Sequence, residues 1–271
     1  MEQNTLAESL AIERNGHVAT VVLRGPGKGN AMGPALWREL APAMNGLDRD
    51  RDVRTIVLRG SGDHFSYGLD LPAMLGEPTI RPGSVQTGRD RETFLTILAG
   101  MQDAFSAVAR CRKPVIAAID GWCIGSGVEL IAACDLRYAT PGAQFSLREV
   151  QLAIVADLGG LQRLPGIIGE GNTRELALTG RTIDARRAYE IGLLNAIADD
   201  VHAHAARVAA EIAAHSPLTT SGIKRVMNAS QGRTIDEGLA YTAAWNAAFL
   251  NGEDFAEAIA AFRERRAPDY R

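Results

Sequence analysis

The stretch REVQLAIVADLGGLQRLP, at positions 148–165, places two acidic side chains at the ends of an apolar run. Between Glu149 and Asp157 only Gln151 is polar. Acidic side chains are rarely buried without a compensating partner. Burial raises the pKa of a carboxyl group, which lets it accept and donate protons near neutral pH. The pattern therefore predicts two proton-transfer groups beside an apolar substrate.

Two glycine-rich loops could supply the groups that bind a negatively charged oxygen. SGDHFSYGLDL (61–71) and GWCIGSGVEL (121–130) each lie between an apolar strand and a helical stretch. Such loops can direct backbone N–H groups at an anion. Neither contains a dinucleotide or triphosphate motif, and Ser126 does not lie in GxSxG. An oxyanion hole is one interpretation, and glycines that serve only the turn conformation are the other.

The elements that position these loops show an internal repeat. VVLRGPG (21–27), IVLRGSG (56–62) and VIAAIDG (115–121) are apolar strands that end in glycine, and helical periodicity follows each. The repeat predicts an α/β fold whose loops gather at one end of the strands. Asn15-Gly16 predicts a hairpin before the first repeat. Positions 76–92 are polar and rich in Gly and Pro, which predicts a mobile loop or an insertion.

A long apolar stripe and a helix-rich region complete the chain. The helical stripe ends at Arg112 and comprises Phe94, Leu95, Leu98, Met101, Phe105 and Val108. From about residue 184 the pattern is helical, so we predict a core of residues 1–195 and a helical region of residues 196–271. Alanines at helical spacing predict a closely packed face, against another subunit or the chain's own core. They are Ala240, Ala243, Ala244, Ala247 and Ala248.

Composition excludes several classes of function. The formal net charge of -3 and the pI near 6.0 argue against nucleic acid as the main partner. We find no signal-peptide pattern and no apolar run long enough for a membrane span. Three cysteines without CxxC spacing predict reduced thiols and a cytoplasmic protein. His202 and His204 point to different helix faces, so no metal site is predicted.

Four long motifs resemble the enoyl-CoA hydratase/isomerase, or crotonase, family over nearly the whole chain. They are PGKGNAM (26–32), HFSYGLDL (64–71), KPVIAAIDGWCIGSGVELIAACDLRYAT (113–140) and FSLREVQLAIVADLGGLQRLPGIIG (145–169). The resemblance implies a spiral of strand-strand-helix turns with a helical C-terminal region. It also implies homotrimers or dimers of trimers, in which the C-terminal region serves trimerisation and the acyl-CoA site. The implied chemistry is stabilisation of an acyl-CoA thioester enolate, without a cofactor because coenzyme A belongs to the substrate.

The resemblance also implies binding residues. Backbone N–H groups of Tyr67 and Ser126 would form the oxyanion hole, although the family usually has a small residue and a glycine there. Lys28 would meet the phosphates of coenzyme A. Asp70 is also typical of a helix N-cap. The positions expected to contact substrate are Lys28, Ser66, Gly68, Leu69, Asp70 and Gly127.

Three acids match catalytic positions of the family: Glu129, Glu149 and Asp157. Hydratases have glutamates at the first two positions and usually glycine at the third, whereas dienoyl-CoA isomerases have aspartate at the third. Asp157 therefore favours isomerisation of 3,5-dienoyl-CoA to 2,4-dienoyl-CoA, with a proton moved from C2 to C6. Hydration of 2-enoyl-CoA is the alternative, because Glu129 is the hydratase type.

The three carboxylates could instead have a structural role, as salt-bridge partners of Arg137, Arg148 or Arg163. Two functions without turnover of an acyl-CoA also have to be weighed. Some relatives bind RNA, but the acidic charge balance argues against that role. A carrier that binds acyl-CoA without turnover has no need for three acids.

Overall fold

The computed structural model describes residues 8–77, 80–81 and 83–270, with the side chain of Lys28 outside that description. The strands are β1 (Leu10–Asn15), β2 (Val18–Leu23), β3 (Thr55–Gly60), β4 (Val115–Ile119), β5 (Trp122–Ile124), β6 (Leu136–Ala139), β7 (Gln144–Ser146), β8 (Ile183–Asp184) and β9 (Ala196–Ile197). The helices are α1 (Pro34–Arg49), α2 (Leu71–Gly76), α3 (Gly88–Arg110), α4 (Ser126–Ala132), α5 (Gly160–Thr179), α6 (Ala185–Glu190), α7 (Val201–Ala213), α8 (Pro217–Ser230), α9 (Ile235–Phe249) and α10 (Glu253–Glu264). The α/β fold with a helical C-terminal region is as predicted.

The predicted repeat forms the centre of a six-stranded sheet, in the order β1-β2-β3-β4-β6-β9. Strands β1 and β2 form the predicted antiparallel hairpin, and β2, β3, β4, β6 and β9 pair in parallel. Strands β5, β7 and β8 form a second, three-stranded sheet. Because parallel strands share one direction, the loops after β3 and β4 meet at the same edge.

Both faces of the large sheet are covered, as is usual for parallel strands. On one face the main core includes Val21, Ile56, Leu58 and Ala117 together with α1 and α3. On the other face, helix α7 packs over Val57, Ile116 and Tyr138. Strand β9 and α7 follow residue 195 in the chain and belong to this sheet and its cover. The division of the chain at residue 195 stays a prediction.

Helix α3 differs in two ways from the sequence prediction. It begins at Gly88, with Thr87 as N-cap in a capping box, so the predicted loop of residues 76–92 ends earlier. Residues 78, 79 and 82 of that loop lie outside the described residues. The apolar stripe is buried at Met101, Phe105 and Val108, but Leu95 is 65 % exposed. The first turns of α3 therefore leave the core.

The last helices present apolar side chains to the outside. On α9 the alanine face from Ala240 to Ala248 is exposed and does not pack on the chain's own core. Helix α8 is joined to the sheet by Lys224, whose Nζ lies 2.7 Å from Asp135 Oδ2. Large exposed apolar side chains of this region are Ile223, Met227, Ile235, Leu239, Phe249, Phe255 and Phe262.

Candidate active site

The two glycine-rich loops meet beside strand β5. Ser66 pairs with Cys123 as an isolated bridge, and the Ile124 N–H donates to the Ser66 carbonyl at 2.9 Å. Gly68 has φ +85°, and a Cβ there would lie 2.6 Å from the Ile124 carbonyl oxygen. Only glycine fits both the backbone angle and this close approach. The contact places the segment after Gly68 next to Ser126, at the start of α4.

The oxyanion donor predicted at Tyr67 needs correction. The Tyr67 N–H already donates to the Gly29 carbonyl at 2.7 Å. The Gly68 N–H donates to Ser66 Oγ at 3.0 Å, and the Asp70 N–H donates to the Met32 carbonyl at 2.9 Å. Among the described residues, the Leu69 N–H has no hydrogen-bond acceptor.

The free donor on this loop is therefore two residues after the predicted one. The local alternation of the backbone explains the shift, because Leu69 forms a parallel bridge with Met32 through its neighbours' amide and carbonyl groups. The N–H of Leu69 points away from that bridge. The second predicted donor, the Ser126 N–H, opens α4 and has no acceptor within the helix.

Three of the other predicted contacts have structural roles here. The Ser66 side chain is 0 % exposed, and its hydroxyl donates to the Asn30 carbonyl at 2.8 Å. Asp70 Oδ1 accepts from the Ala73 N–H at 3.1 Å and caps α2. Gly127 is buried against the Ser66 carbonyl. None of the three lines the cavity beside these loops. The side chain of Lys28 lies outside the described part, so its predicted contact with phosphate stays a prediction.

The cavity beside the loops has a volume of about 720 Å³. Its polar wall includes Glu129, Glu149 and Asp157, together with Arg148 and Gln151. Its apolar wall consists of Leu69, Leu71, Met74, Ile80, Phe94, Ile97, Leu98, Met101, Ile124, Leu152, Ile154 and Leu158. Phe94, Ile97 and Leu98, in the N-terminal half of α3, line this cavity. The apolar stripe of α3 therefore lines the cavity near its N-terminal end and packs in the core near its C-terminal end.

The run between the two acids lines the cavity only in part. Leu152 and Ile154 lie on its wall, whereas Val150 and Val155 do not. The chain turns sharply here, because residues Glu149–Leu152 form a 3₁₀ helix that ends at Ala153 with φ +57°. An apolar substrate in this cavity would therefore contact Leu152 and Ile154 but neither valine.

Burial gives all three acids a raised pKa. Glu129 is 1 % exposed, and burial raises its pKa to about 7, with the charges of Glu149 and Asp157 adding to the effect. Burial also raises the pKa of Glu149, and the nearby Asp157 adds to that rise. The pKa of Asp157 is raised by burial. A carboxyl group whose pKa is shifted upward toward neutral pH is better suited to exchange protons there.

Glu149 is placed without a compensating partner. Its Oε2 is buried and has no hydrogen-bond partner among the described residues. Its Oε1 lies 3.0 Å from where a Cβ of residue 125 would stand. Gly125, with φ +54°, therefore leaves the space that the carboxylate needs. An unpartnered buried carboxylate costs free energy, which is typical of a functional group rather than a structural one.

A salt-bridge role for the three acids does not fit the described residues. Within them, no Lys, Arg or His nitrogen lies within 4.0 Å of the carboxylates of Glu129, Glu149 or Asp157. Arg137 instead donates to the carbonyls of three residues in the core: Ile131, Cys134 and Leu193. The guanidinium of Arg148 stacks over Trp122, 5.5 Å from the ring centre.

Two residues of this site were not found from the sequence. They are Trp122 and Arg148, which form the cation–π pair at the cavity wall. In the sequence, the only indication that they belong to the site is that Arg148 directly precedes Glu149. The cavity unites a deep apolar wall, two backbone donors and three acids with raised pKa values. Chemically, this arrangement can stabilise an enolate-type oxyanion while protons are moved at two separate carbons of an apolar chain.

The described residues hold neither a metal cluster nor a membrane span. Within residues 8–77, 80–81 and 83–270 there is no group of three or more His, Cys, Asp and Glu side chains that could hold a metal ion. In the same residues, no helix is both long and apolar enough to cross a bilayer. Cys111, Cys123 and Cys134 are buried and unpaired.

Comparisons with known proteins show the family to which the chain is similar. A family model described as enoyl-CoA hydratase/isomerase matches residues 13–271. The chain is 38% identical, over 273 residues, to a peroxisomal Delta(3,5)-Delta(2,4)-dienoyl-CoA isomerase of Arabidopsis thaliana, covering 100% of this chain and 98% of that protein. It is 37% identical to the mitochondrial enzyme of the same name from Mus musculus, covering 92% of this chain and 77% of that protein.

Solved structures of the family share the fold. The crystal structure of an enoyl-CoA hydratase from Bacillus anthracis superposes with a TM-score of 0.88 at 29% identity, covering 97% of this chain and 99% of that one. The crotonase-like spiral predicted from the motifs is thereby confirmed. The Arabidopsis and mouse relatives carry peroxisomal and mitochondrial names, so the cytoplasmic location stays a prediction.

Proposed function

This chain belongs to the enoyl-CoA hydratase/isomerase (crotonase) family of enzymes that act on CoA thioesters, and we propose that it is a Delta(3,5)-Delta(2,4)-dienoyl-CoA isomerase. Asp157 carries the proposal, because it faces the same cavity as Glu149 and has no ion-pair partner among the described residues. A hydratase needs no acid at this third place. A 1,5-shift of a proton needs one at each end of the diene.

The proposed reaction begins at C2 of a fatty 3,5-dienoyl-CoA. The N–H groups of Leu69 and Ser126 hold the thioester oxygen, and ionised Glu149 removes a proton from C2. The C2–H electron pair then forms the enolate, whose charge extends along the diene to C6. Protonated Asp157 donates its proton to C6, and the electrons settle as double bonds at C2 and C4. Two such donors are worth about 10²–10³ in rate each.

Proton balance follows from the shared cavity. One turnover leaves Glu149 protonated and Asp157 ionised, so a proton must return before the next substrate reacts. Two neighbouring carboxyl groups in a poorly solvated site avoid double ionisation and titrate as a pair. Burial raises the pKa of both groups, which is the direction expected for a pair that shares a proton.

The test is Asp157→Asn, which keeps the shape but cannot move a proton. We expect isomerisation of a 3,5-dienoyl-CoA to fall by about 10²–10⁴, the usual contribution of a positioned acid–base group. Exchange of the C2 hydrogen with deuterated solvent should persist, because that step uses Glu149. Unchanged isomerisation in a folded variant would remove the proposal.

Hydration of 2-enoyl-CoA is a second candidate with one specific observation in its favour. Glu129 and Glu149 line the same cavity, and the pKa of Glu129 is raised to about 7. Two such glutamates could hold and activate a water molecule. In that case Asp157→Asn should leave hydration intact, so the same variant separates the two reactions.

We also propose that a second and third copy of the chain cover the exposed apolar side chains of α8, α9 and α10. Contiguous apolar patches larger than a few hundred Å² are uncommon on monomers. The exposed alanine face of α9 would let another helix approach closely. A homotrimer, or a dimer of trimers, fits this surface and the family resemblance.

A further inference from the structure

The four residues from Asp157 to Gly160, here named the Asp157 turn, are held by side chains from three helices. Glu129 on α4, Gln102 on α3 and Arg163 on α5 all bond to its backbone. Carbonyl groups of the turn accept hydrogen bonds from Gln102 and Arg163. Amide groups of the turn donate hydrogen bonds to Glu129. A turn held from several sides has a fixed backbone, and this fixes the point from which the Asp157 side chain extends.

Glu129 makes the buried part of this attachment. Its Oε1 accepts from the Leu158 N–H at 3.0 Å and from the Gly160 N–H at 2.9 Å. A Cβ at position 160 would lie 2.7 Å from Glu129 Cγ, so the glycine lets the carboxylate reach both amides. Hydrogen bonds from neutral amides to a buried carboxylate are among the stronger ones in proteins.

Gln102 and Arg163 hold the other side of the turn. Gln102 Nε2 donates to the Asp157 carbonyl at 2.7 Å, across 55 residues of sequence. Arg163 Nη1 donates to the Leu158 carbonyl at 3.2 Å, and its Nη2 donates to Ser106 Oγ on α3. Gln102 directly follows Met101, which lines the cavity. The helix that forms the apolar wall is therefore tied to the backbone of the proposed proton donor.

We propose that Glu129 and Gln102 are positioning residues that fix Asp157 over the distal end of the diene, and that Glu129 transfers no proton itself. This inference rests on the proposed isomerase function. Glu129 Oε1 accepts hydrogen bonds from two backbone amides of the Asp157 turn. Its carboxylate therefore affects the reaction by holding that turn in place. Gln102 fixes the position of Asp157 relative to helix α3. The same helix forms the wall that would hold the acyl chain, so it would position both the proton donor and the substrate.

The test for Glu129 compares Glu129→Gln with Glu129→Met at the pH of maximal rate. The glutamine keeps a carbonyl oxygen that can accept both amides but cannot exchange protons, whereas the methionine keeps the length and loses the acceptor. We expect Glu129→Gln to keep isomerisation within about 10-fold, and Glu129→Met to lose about 10²-fold in kcat, the cost of a misplaced catalytic group. C2 hydrogen exchange should survive in both.

Three results would overturn the role of Glu129. One is a loss in Glu129→Gln as deep as in Asp157→Asn, which would assign it proton transfer. Another is full isomerisation in Glu129→Met. The third is parallel loss of C2 exchange and isomerisation in Glu129→Met while its melting curve matches wild type. Failure of the isomerase function itself is distinguishable, because wild type would then form no 2,4-dienoyl thioester.

Gln102 provides an independent arm, since it lies at the exposed surface of the isolated chain. Gln102→Met removes the donor and keeps the length. We expect kcat for isomerisation to fall about 3–10-fold, the worth of one hydrogen bond, with KM and C2 exchange unchanged. Gln102→Glu should behave in the same way, because a carboxylate cannot donate to the carbonyl.

The control is Asp103→Asn, which alters a neighbouring exposed residue that does not touch the turn. Unchanged kcat in Gln102→Met, or an equal fall in the control, would contradict the role.

Discussion

Glu149 combines burial with an unsatisfied oxygen, and this combination is costly unless it serves a function. Its Oε2 has no partner among the described residues, and its pKa is raised by burial and then by Asp157. Such a group is a stronger base toward a carbon acid than an exposed carboxylate is. The cavity also keeps it close to the two backbone donors at Leu69 and Ser126.

Glu149→Gln should therefore abolish the first step. We expect both isomerisation and C2 exchange to fall by about 10²–10⁴, because no other base reaches C2 in the proposed reaction. Deuterium uptake at C2, followed by mass spectrometry of recovered substrate, measures this directly. Glu170→Gln removes an exposed carboxylate that does not line the cavity, and it serves as the control with the same chemical change. Wild-type exchange in Glu149→Gln would assign the base to another residue.

Glu129 should also give the protein a pH-dependent stability. Burial raises its pKa from 4.5 to about 7, so the folded protein binds more protons than the unfolded chain between these values. The free energy of unfolding must then fall as the pH rises through this window and level off above it. The contribution of Glu129 to this change in the free energy of unfolding should be at most about 3 kcal/mol. The Glu129→Gln variant should not show this contribution. Urea unfolding of both proteins from pH 4.5 to 8 measures the difference, and parallel curves would contradict it.

At the scale of elements, the sequence predicts what is periodic and misses what depends on neighbours. The glycine-ended strands, the Asn15-Gly16 hairpin and the Asp70 cap follow from local chemistry, and the structure contains them. The donor at Leu69 does not follow locally, because the pairing of Met32 with its loop decides which N–H is free. The sequence also could not show that α3 contributes both to the core and to the cavity wall. An apolar stripe has the same sequence pattern whether it packs in a core or lines a cavity.

Helix α8 offers a prediction at this scale. Lys224 is nearly buried, and its Nζ bonds to Asp135 Oδ2 at 2.7 Å and to the Lys113 carbonyl at 3.1 Å. Lys224→Met leaves a half-buried carboxylate that still accepts from the Val115 N–H. We expect a loss of about 2 kcal/mol in the free energy of unfolding, below the ~3–5 kcal/mol of a fully buried pair. Arg186→Met, which removes an exposed charge, should change it little, and equal losses would contradict the anchoring role.

At the scale of the whole molecule, the apolar surface of α8, α9 and α10 should set the assembly. Leu239 is 62 % exposed in the isolated chain, so a charge there should disfavour contact with another copy. We expect Leu239→Lys to lower the molar mass measured by light scattering, from a trimer or hexamer toward the monomer of 29.0 kDa. Ile12→Lys, on the edge strand β1, is the matched control. A monomeric wild type, or an assembly unchanged in Leu239→Lys, would contradict the proposed interface.

The most direct test of the isomerase function gives purified wild-type protein a 3,5-dienoyl-CoA and a 2-enoyl-CoA of equal chain length. Formation of the conjugated 2,4-dienoyl thioester and of the 3-hydroxyacyl thioester is followed under the same conditions. With Glu149 and Asp157 acting at the two ends of the diene, the value of kcat/KM should be higher for isomerisation than for hydration. Rapid hydration of the 2-enoyl-CoA without formation of the 2,4-dienoyl thioester from the 3,5-dienoyl-CoA would contradict the isomerase function.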